Sequence, residues 1–258
     1  FFQVMRTFVQ VRPWTTLTVV IMAVCSRFAS VLAMFMPLKV VLLAGSSGVP
    51  RYFQFLMDQE QKQEWIIILA VGAIACYILS VILDTLTERL SDAGSGEILQ
   101  EAEAIPILNN QQQVARTYYS KFCRVCADSL FVLAVIVAGL FINFWLFVFL
   151  IGLLCIFYLL STGLLKTSDH VHPSKPAEYI RDNQSSYIKT LSSVVFLLSF
   201  IFLLNLFLFF SYANILIAIL SIIIIRQILG SQSAIIRDVG ILAKTRAKIN
   251  ALVFPDVQ

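Results

Sequence analysis

The 258 residues are 59% hydrophobic and only 13% charged, where an ordinary soluble domain has roughly 45–50% and about 25%, so a water-soluble globular protein is excluded. The net charge of +4 comes from 19 Lys and Arg scattered in small groups between apolar runs, which is how a polytopic membrane protein carries its topology signal and not how a nucleic-acid surface is built. Nucleic acid is therefore not expected as a partner.

The first 14 residues mix aromatics with Arg6 and Arg12, the composition of an amphipathic helix lying at the membrane interface, and Trp14 marks its boundary. A first span runs over 15–44. It is too long for a simple crossing and contains Pro37, so it is expected to tilt, to kink there or to project beyond the bilayer. A second span covers 65–84, and Asp84 opens a polar section of about 45 residues that includes the run NNQQQ at 109–113. From Ser129 to Leu165 the chain has 37 nearly uncharged residues. One helix of that length would measure about 55 Å, far more than a ~30 Å hydrocarbon core holds. It must be a hairpin, with spans at 127–142 and 144–165 and with Asn143 and Trp145 at the tip. The same arithmetic divides Leu191 to Ile225 into spans at 190–210 and 213–232, with residues 211–214 as the second tip. Cys25, Cys76 and Cys155 sit inside these runs and read as small apolar residues, and the odd total of five cysteines argues against a disulfide framework.

Three regions result: an interfacial helix over 1–14, a six-span region over 15–232 and an amphipathic helix over 233–258. The fold class is an all-α membrane protein with helical extensions beyond the bilayer. Basic residues orient it. Fifteen of the nineteen, from Arg6 and Arg12 through Arg89, Arg116 and Lys166 to Lys248, fall on one side, whereas Arg51 and Lys62 alone fall on the other. The positive-inside rule makes the first side cytoplasmic, with both termini there.

No G-x-x-x-x-G-K-[ST] phosphate loop is present, so these residues supply no cradle for ATP hydrolysis and no catalytic side chain is assigned. The run LSDAGSGE at 90–97 has a superficial similarity to an ATPase signature, but it lacks the glycine pair in the right place and reads as a helix end or bend. Cys123-x-x-Cys126 and His170-x-His172 could together offer four zinc ligands from two loops; nothing in the spacing demands it, and a helix start and a polar turn before Pro173 account for both.

The layout resembles the membrane domain of an ATP-binding-cassette exporter. The similarity is carried by the end of the chain, where the apolar run IIIIR reaches Arg226 and continues as an Ala-rich basic helix to Lys248-Ile249-Asn250-Ala251-Leu252, and by the first span, which ends in Pro37-Leu38-Lys39 before a Gly-containing turn. Two features depart from the family: the second inward loop, about 166–190, is short, and position 231 is Ser where a Pro is frequent. The resemblance implies alternating access to a substrate path, ATP and magnesium held by an ATPase fused downstream or supplied by another polypeptide, a second copy or a homologous half-transporter as partner, and residence in a bacterial inner membrane. The chain opens on Phe, not Met, which leaves room for missing sequence at either end. The resemblance also implies coupling elements on the inward loops. In the first loop this is the apolar patch Ile105, Pro106, Ile107 and Leu108 with Asn109 and Asn110; in the second it is the turn from His172 and Pro173 to Glu178 and Tyr179.

Charges within spans complete the candidate site. Arg27 stands about 20 Å past Trp14 by helical rise, too deep to reach either surface easily, so it is expected to face a water-filled path. Lys39 joins it in the first span. Asp84 is a candidate counter-ion and Asn205 a candidate substrate contact or interhelical bond. Arg226 is expected to snorkel to the inner surface. The alternatives are a six-span anchoring or assembly subunit, which needs no deep charge, and an ATP-independent carrier, which should show spans broken by Gly or Pro in corresponding halves.

Overall fold

The computed structural model describes residues 13–46, 61–101, 109–167, 183–210 and 215–253. They form six helices: α1 (Pro13–Gly45), α2 (Lys62–Glu101), α3 (Asn109–Ile142), α4 (Phe144–Thr167), α5 (Gln184–Phe210) and α6 (Ile215–Val253). All six are long and apolar enough to cross a membrane, and no strand occurs among the described residues. The protein is thus an all-α integral membrane protein in contact with lipid. Side chains that water would punish stand outward along the helices, Trp14 at 78% exposure and Phe141 at 87% among them. The expected interfacial helix over 1–14, apart from its last two residues, and the second hairpin tip at 211–214 lie outside the described residues.

All six helices exceed a ~30 Å core, four of them by far. At 1.5 Å per residue, the 33 residues of α1, the 40 of α2, the 34 of α3 and the 39 of α6 measure about 50, 60, 51 and 58 Å. The polar section that begins at Asp84 is therefore largely helical on both sides of residues 102–108. In α1, Pro13 occupies the first turn, where a missing N–H costs nothing. Pro37 lies mid-helix, yet α1 runs on through it to Gly45, giving up one hydrogen bond to the Ala33 carbonyl.

The chain divides into two compact units, α1 with α2 and α3 to α6. In the first, two antiparallel helices are closed at one end by Lys62, whose Nζ donates to the Ser46 carbonyl at 2.6 Å, a cation placed at a helix C-terminus. Leu43, fully buried, packs there on Trp65, Ile66 and Leu69. Farther along, the seam is made of small side chains, Ser26, Ala29, Ala73 and Ser80, which let two helices approach closely in a lipid environment.

The second unit has a denser interior. Tyr119 and Phe131 of α3, Leu146, Phe147, Leu150 and Phe157 of α4, Leu203 of α5 and Ile225, Ile228 and Leu242 of α6 are all almost fully buried. Within a bilayer such contacts act through close packing and not through escape from water. The expected first tip is a single residue. The Asn143 N–H donates to the Gly139 carbonyl at 2.8 Å and its own carbonyl accepts from Phe147 N at 3.1 Å, while its Oδ1 accepts from Leu146 N at 3.3 Å and so caps α4. The chain reverses there. In a continuous helix residues 139 and 147 would stand about 12 Å apart, whereas a methyl group built on Gly139 would meet the Phe147 ring at 2.1 Å. Only glycine admits that approach.

Candidate functional site

Of the four residues assigned to a substrate path, Asp84 and Arg27 fall together in the α1–α2 unit. Ser26, at 1% exposure, lies within reach of three acceptors on α2: Asp84 Oδ1 at 2.7 Å, the Ser80 carbonyl at 3.1 Å and Ser80 Oγ at 3.3 Å. A hydroxyl has one proton, and the shortest contact is to a carboxylate, so the charge-assisted bond to Asp84 takes it. The Ser80 hydroxyl then donates to the Ser26 carbonyl at 3.2 Å. Asp84 itself is exposed and Arg27, the residue after Ser26, is half-buried. A carboxylate and a guanidinium are thereby brought to one level of the two-helix seam.

Two rulers measure that level. From Trp14 to Ser26 is about 18 Å, and from Trp65, at the opposite end of the pair, to Asp84 is about 28 Å. Their sum exceeds a ~30 Å core, so the hairpin projects from the bilayer at one end at least. Lys39 is separate, about 18 Å along α1 from Arg27, and its Nζ stands 4.9 Å from the centroid of the Phe35 ring one turn away, a local cation–π contact.

Asn205 lies in the other unit. It is exposed, and its Nδ2 donates to the Ile201 carbonyl of its own helix at 3.0 Å; the amide makes no hydrogen bond to another helix among the described residues. Of the coupling elements, Ile105, Pro106, Ile107, Leu108, His172, Pro173, Glu178 and Tyr179 lie outside the described residues; Asn109 and Asn110 open α3. No group of three His, Cys, Asp or Glu among the described residues is placed to hold a metal ion.

The α3–α6 unit holds a polar arrangement that the sequence reading passed over. Lys121 of α3 donates to Asp238 Oδ1 of α6 at 2.8 Å, with the Asp238 side chain only 3% exposed. Two turns along α3 sits Asp128, also buried. The available signal was composition: Asp128 is the lone acid in α3 and Asp238 the lone acid in α6. A single acid among several bases, on the face that carries Ile228 and Leu242, is one the fold has enclosed. Beside the pair, a methyl group on Gly240 would meet Gln184 Nε2 of α5 at 3.3 Å, so α3, α5 and α6 converge at this level.

Arg226, expected to snorkel, stands exposed on α6, 12 residues or about 18 Å from Asp238 and 11 residues or about 16 Å from the start of the helix. Comparison with protein-family models, with curated proteins and with solved structures finds no match for the chain.

Proposed function

We propose that this chain forms the membrane-spanning half of an ATP-driven exporter, working as a pair with a second copy or a homologous half, and moving its substrate by alternating access. The observation that carries the reading is the fastening of long helical arms: α3 and α6 both outrun the bilayer, and they are tied to each other by the Lys121–Asp238 bridge beside the close approach of Gln184 to Gly240. An anchoring subunit has no need of such arms. A domain that transmits movement from outside the membrane does, because fastened helices carry a displacement as one body. ATP and magnesium belong to the associated ATPase, since the chain contains no phosphate loop. The excess of basic residues on one side supports cytoplasmic termini, and a bacterial inner membrane suits that arrangement.

The coupling patch tests the reading. Membranes carrying the chain together with its natural flanking sequence or partner are expected to show vanadate-sensitive ATP hydrolysis above membranes lacking it. Ile107→Asp with Leu108→Asp, which places two charges on the docking patch, should abolish that increment while the protein still inserts. Hydrolysis unaffected by the chain, or by the double substitution, would remove the exporter assignment.

A further inference from the structure

The α6 helix carries a cationic stripe that the ion pair and the packed interior leave unused. Arg226, Gly230, Ser233 and Arg237 follow at spacings of four, three and four, which places them on one face of a helix. Arg226, Gly230 and Arg237 are exposed and Ser233 is half-buried. The opposite face, with Ile228, Asp238 and Leu242, is the buried one. Nothing lies within 4 Å of a methyl group built on Gly230, so the helix surface one turn beyond Arg226 is open. Ser233 Oγ donates to the Leu229 carbonyl of its own helix at 2.8 Å, so its proton is already used and the two arginines alone offer donors to an anion.

Depth decides what the stripe meets. With the start of α6 at one membrane surface, Arg237, about 33 Å along the helix, stands at the headgroups of the other, and Arg226 lies about 16 Å deeper on the same face. A cation at that depth is costly against acyl chains and requires water or an anion. We infer that this stripe binds the phosphate of an anionic lipid, received at Arg237 and passed or held at Arg226 while its chains stay against the apolar flank of α6. A soluble anion has no reason to pass the first cation for the second; only a molecule whose apolar part already belongs in the core spans both levels. A second copy's α3–α6 face offers no carboxylate, since its only acids among the described residues, Asp128 and Asp238, are buried. The inference rests on the six-span reading and names a substrate class for the exporter, but its test uses no ATP, so the two can fail separately.

The full chain, reconstituted in phosphatidylcholine vesicles, is titrated with spin-labelled phosphatidic acid and with phosphatidylcholine bearing the same label, and the motionally restricted fraction gives their relative affinity. Wild type should prefer the acid about tenfold, or ~1.4 kcal/mol. Arg226→Gln with Arg237→Gln should bring the ratio near one, Arg226→Lys should retain most of it, and Arg124→Gln, an exposed charge elsewhere on α3, should leave it unchanged. Size-exclusion profiles matching wild type establish that the variants are folded. Equal affinity for both lipids in wild type overturns the inference. So does a double variant that keeps the preference, a loss of equal size in Arg124→Gln, displacement of the labelled lipid by glycerol 3-phosphate, or a change of oligomeric state with lipid preference intact.

Discussion

In the α1–α2 pair the carboxylate that meets the neighbouring helix is exposed and shares one hydroxyl proton, Ser26 to Asp84 at 2.7 Å. In α3–α6 the corresponding carboxylate is enclosed and takes a full ammonium, Lys121 to Asp238 at 2.8 Å. Solvation explains the difference. Asp84 keeps access to its surroundings and can exchange one partner for another at little cost, whereas Asp238, cut off from water, is held by the charge beside it. One polar group is suited to a changing environment, and the other is a fastening.

Removing half of the fastening is expected to have the largest effect. Lys121→Met leaves Asp238 buried without its counter-charge and should lower the stability of detergent-solubilised protein by about 3–5 kcal/mol, while Lys121→Met with Asp238→Leu should recover most of it. A thermal-melting double-mutant cycle reads both. A double variant no better than the single one would show that the pair is not what holds α3 to α6.

A methyl group separates the packing of the two units. Gly139→Ala drives into the Phe147 ring and should cost about 1–3 kcal/mol, with Phe147→Val restoring part of the loss. Gly72→Ala in the first unit meets only the end of the Met36 side chain, its sulfur at 3.2 Å and its methyl at 3.7 Å, the far part of a flexible side chain. There the gain in helix propensity, up to about 1 kcal/mol, should leave the protein as stable as wild type or slightly more so. Equal melting shifts for the two alanines would contradict a denser second unit.

The smallest effect belongs to the serine seam. Ser26→Ala breaks the link to Asp84 and should cost about 0.6–1.7 kcal/mol, the range for hydrogen bonds between membrane helices. Asp84→Asn keeps an acceptor in the same place and should cost less. If Asp84→Asn were the more damaging change, the carboxylate's charge, and not its hydrogen bond, would be what the hairpin needs.

Much of the fold could be read from the residues because lipid imposes simple arithmetic. Runs of 37 and 35 uncharged, mostly apolar residues cannot be single spans, and Asn143 was the polar residue placed to turn the first of them. The candidate site was less legible. Depth along a helix can be counted from Trp14, but the level at which Arg27 meets another helix depends on the register with α2, which no single run encodes. Asn205 stood out because polarity in LLNLFLFF is conspicuous, and what could not be read was that its Nδ2 bonds the carbonyl one turn back in its own helix. Lys121 and Asp238 are 117 residues apart, and their meeting follows from tertiary packing alone. Reading charges as topology signals hid them.

One more property follows from α6 being unbroken over 39 residues. A rod of about 58 Å turns small rotations into large sweeps. Pivoted near one end by about 5°, it carries the other end through roughly 5 Å, the pitch of one helical turn. Gly230 and Gly240 lie inside it without interrupting it, so the helix has no joint at which such a rotation would dissipate. Leverage, and not chemistry, is what this helix has to offer at its far end.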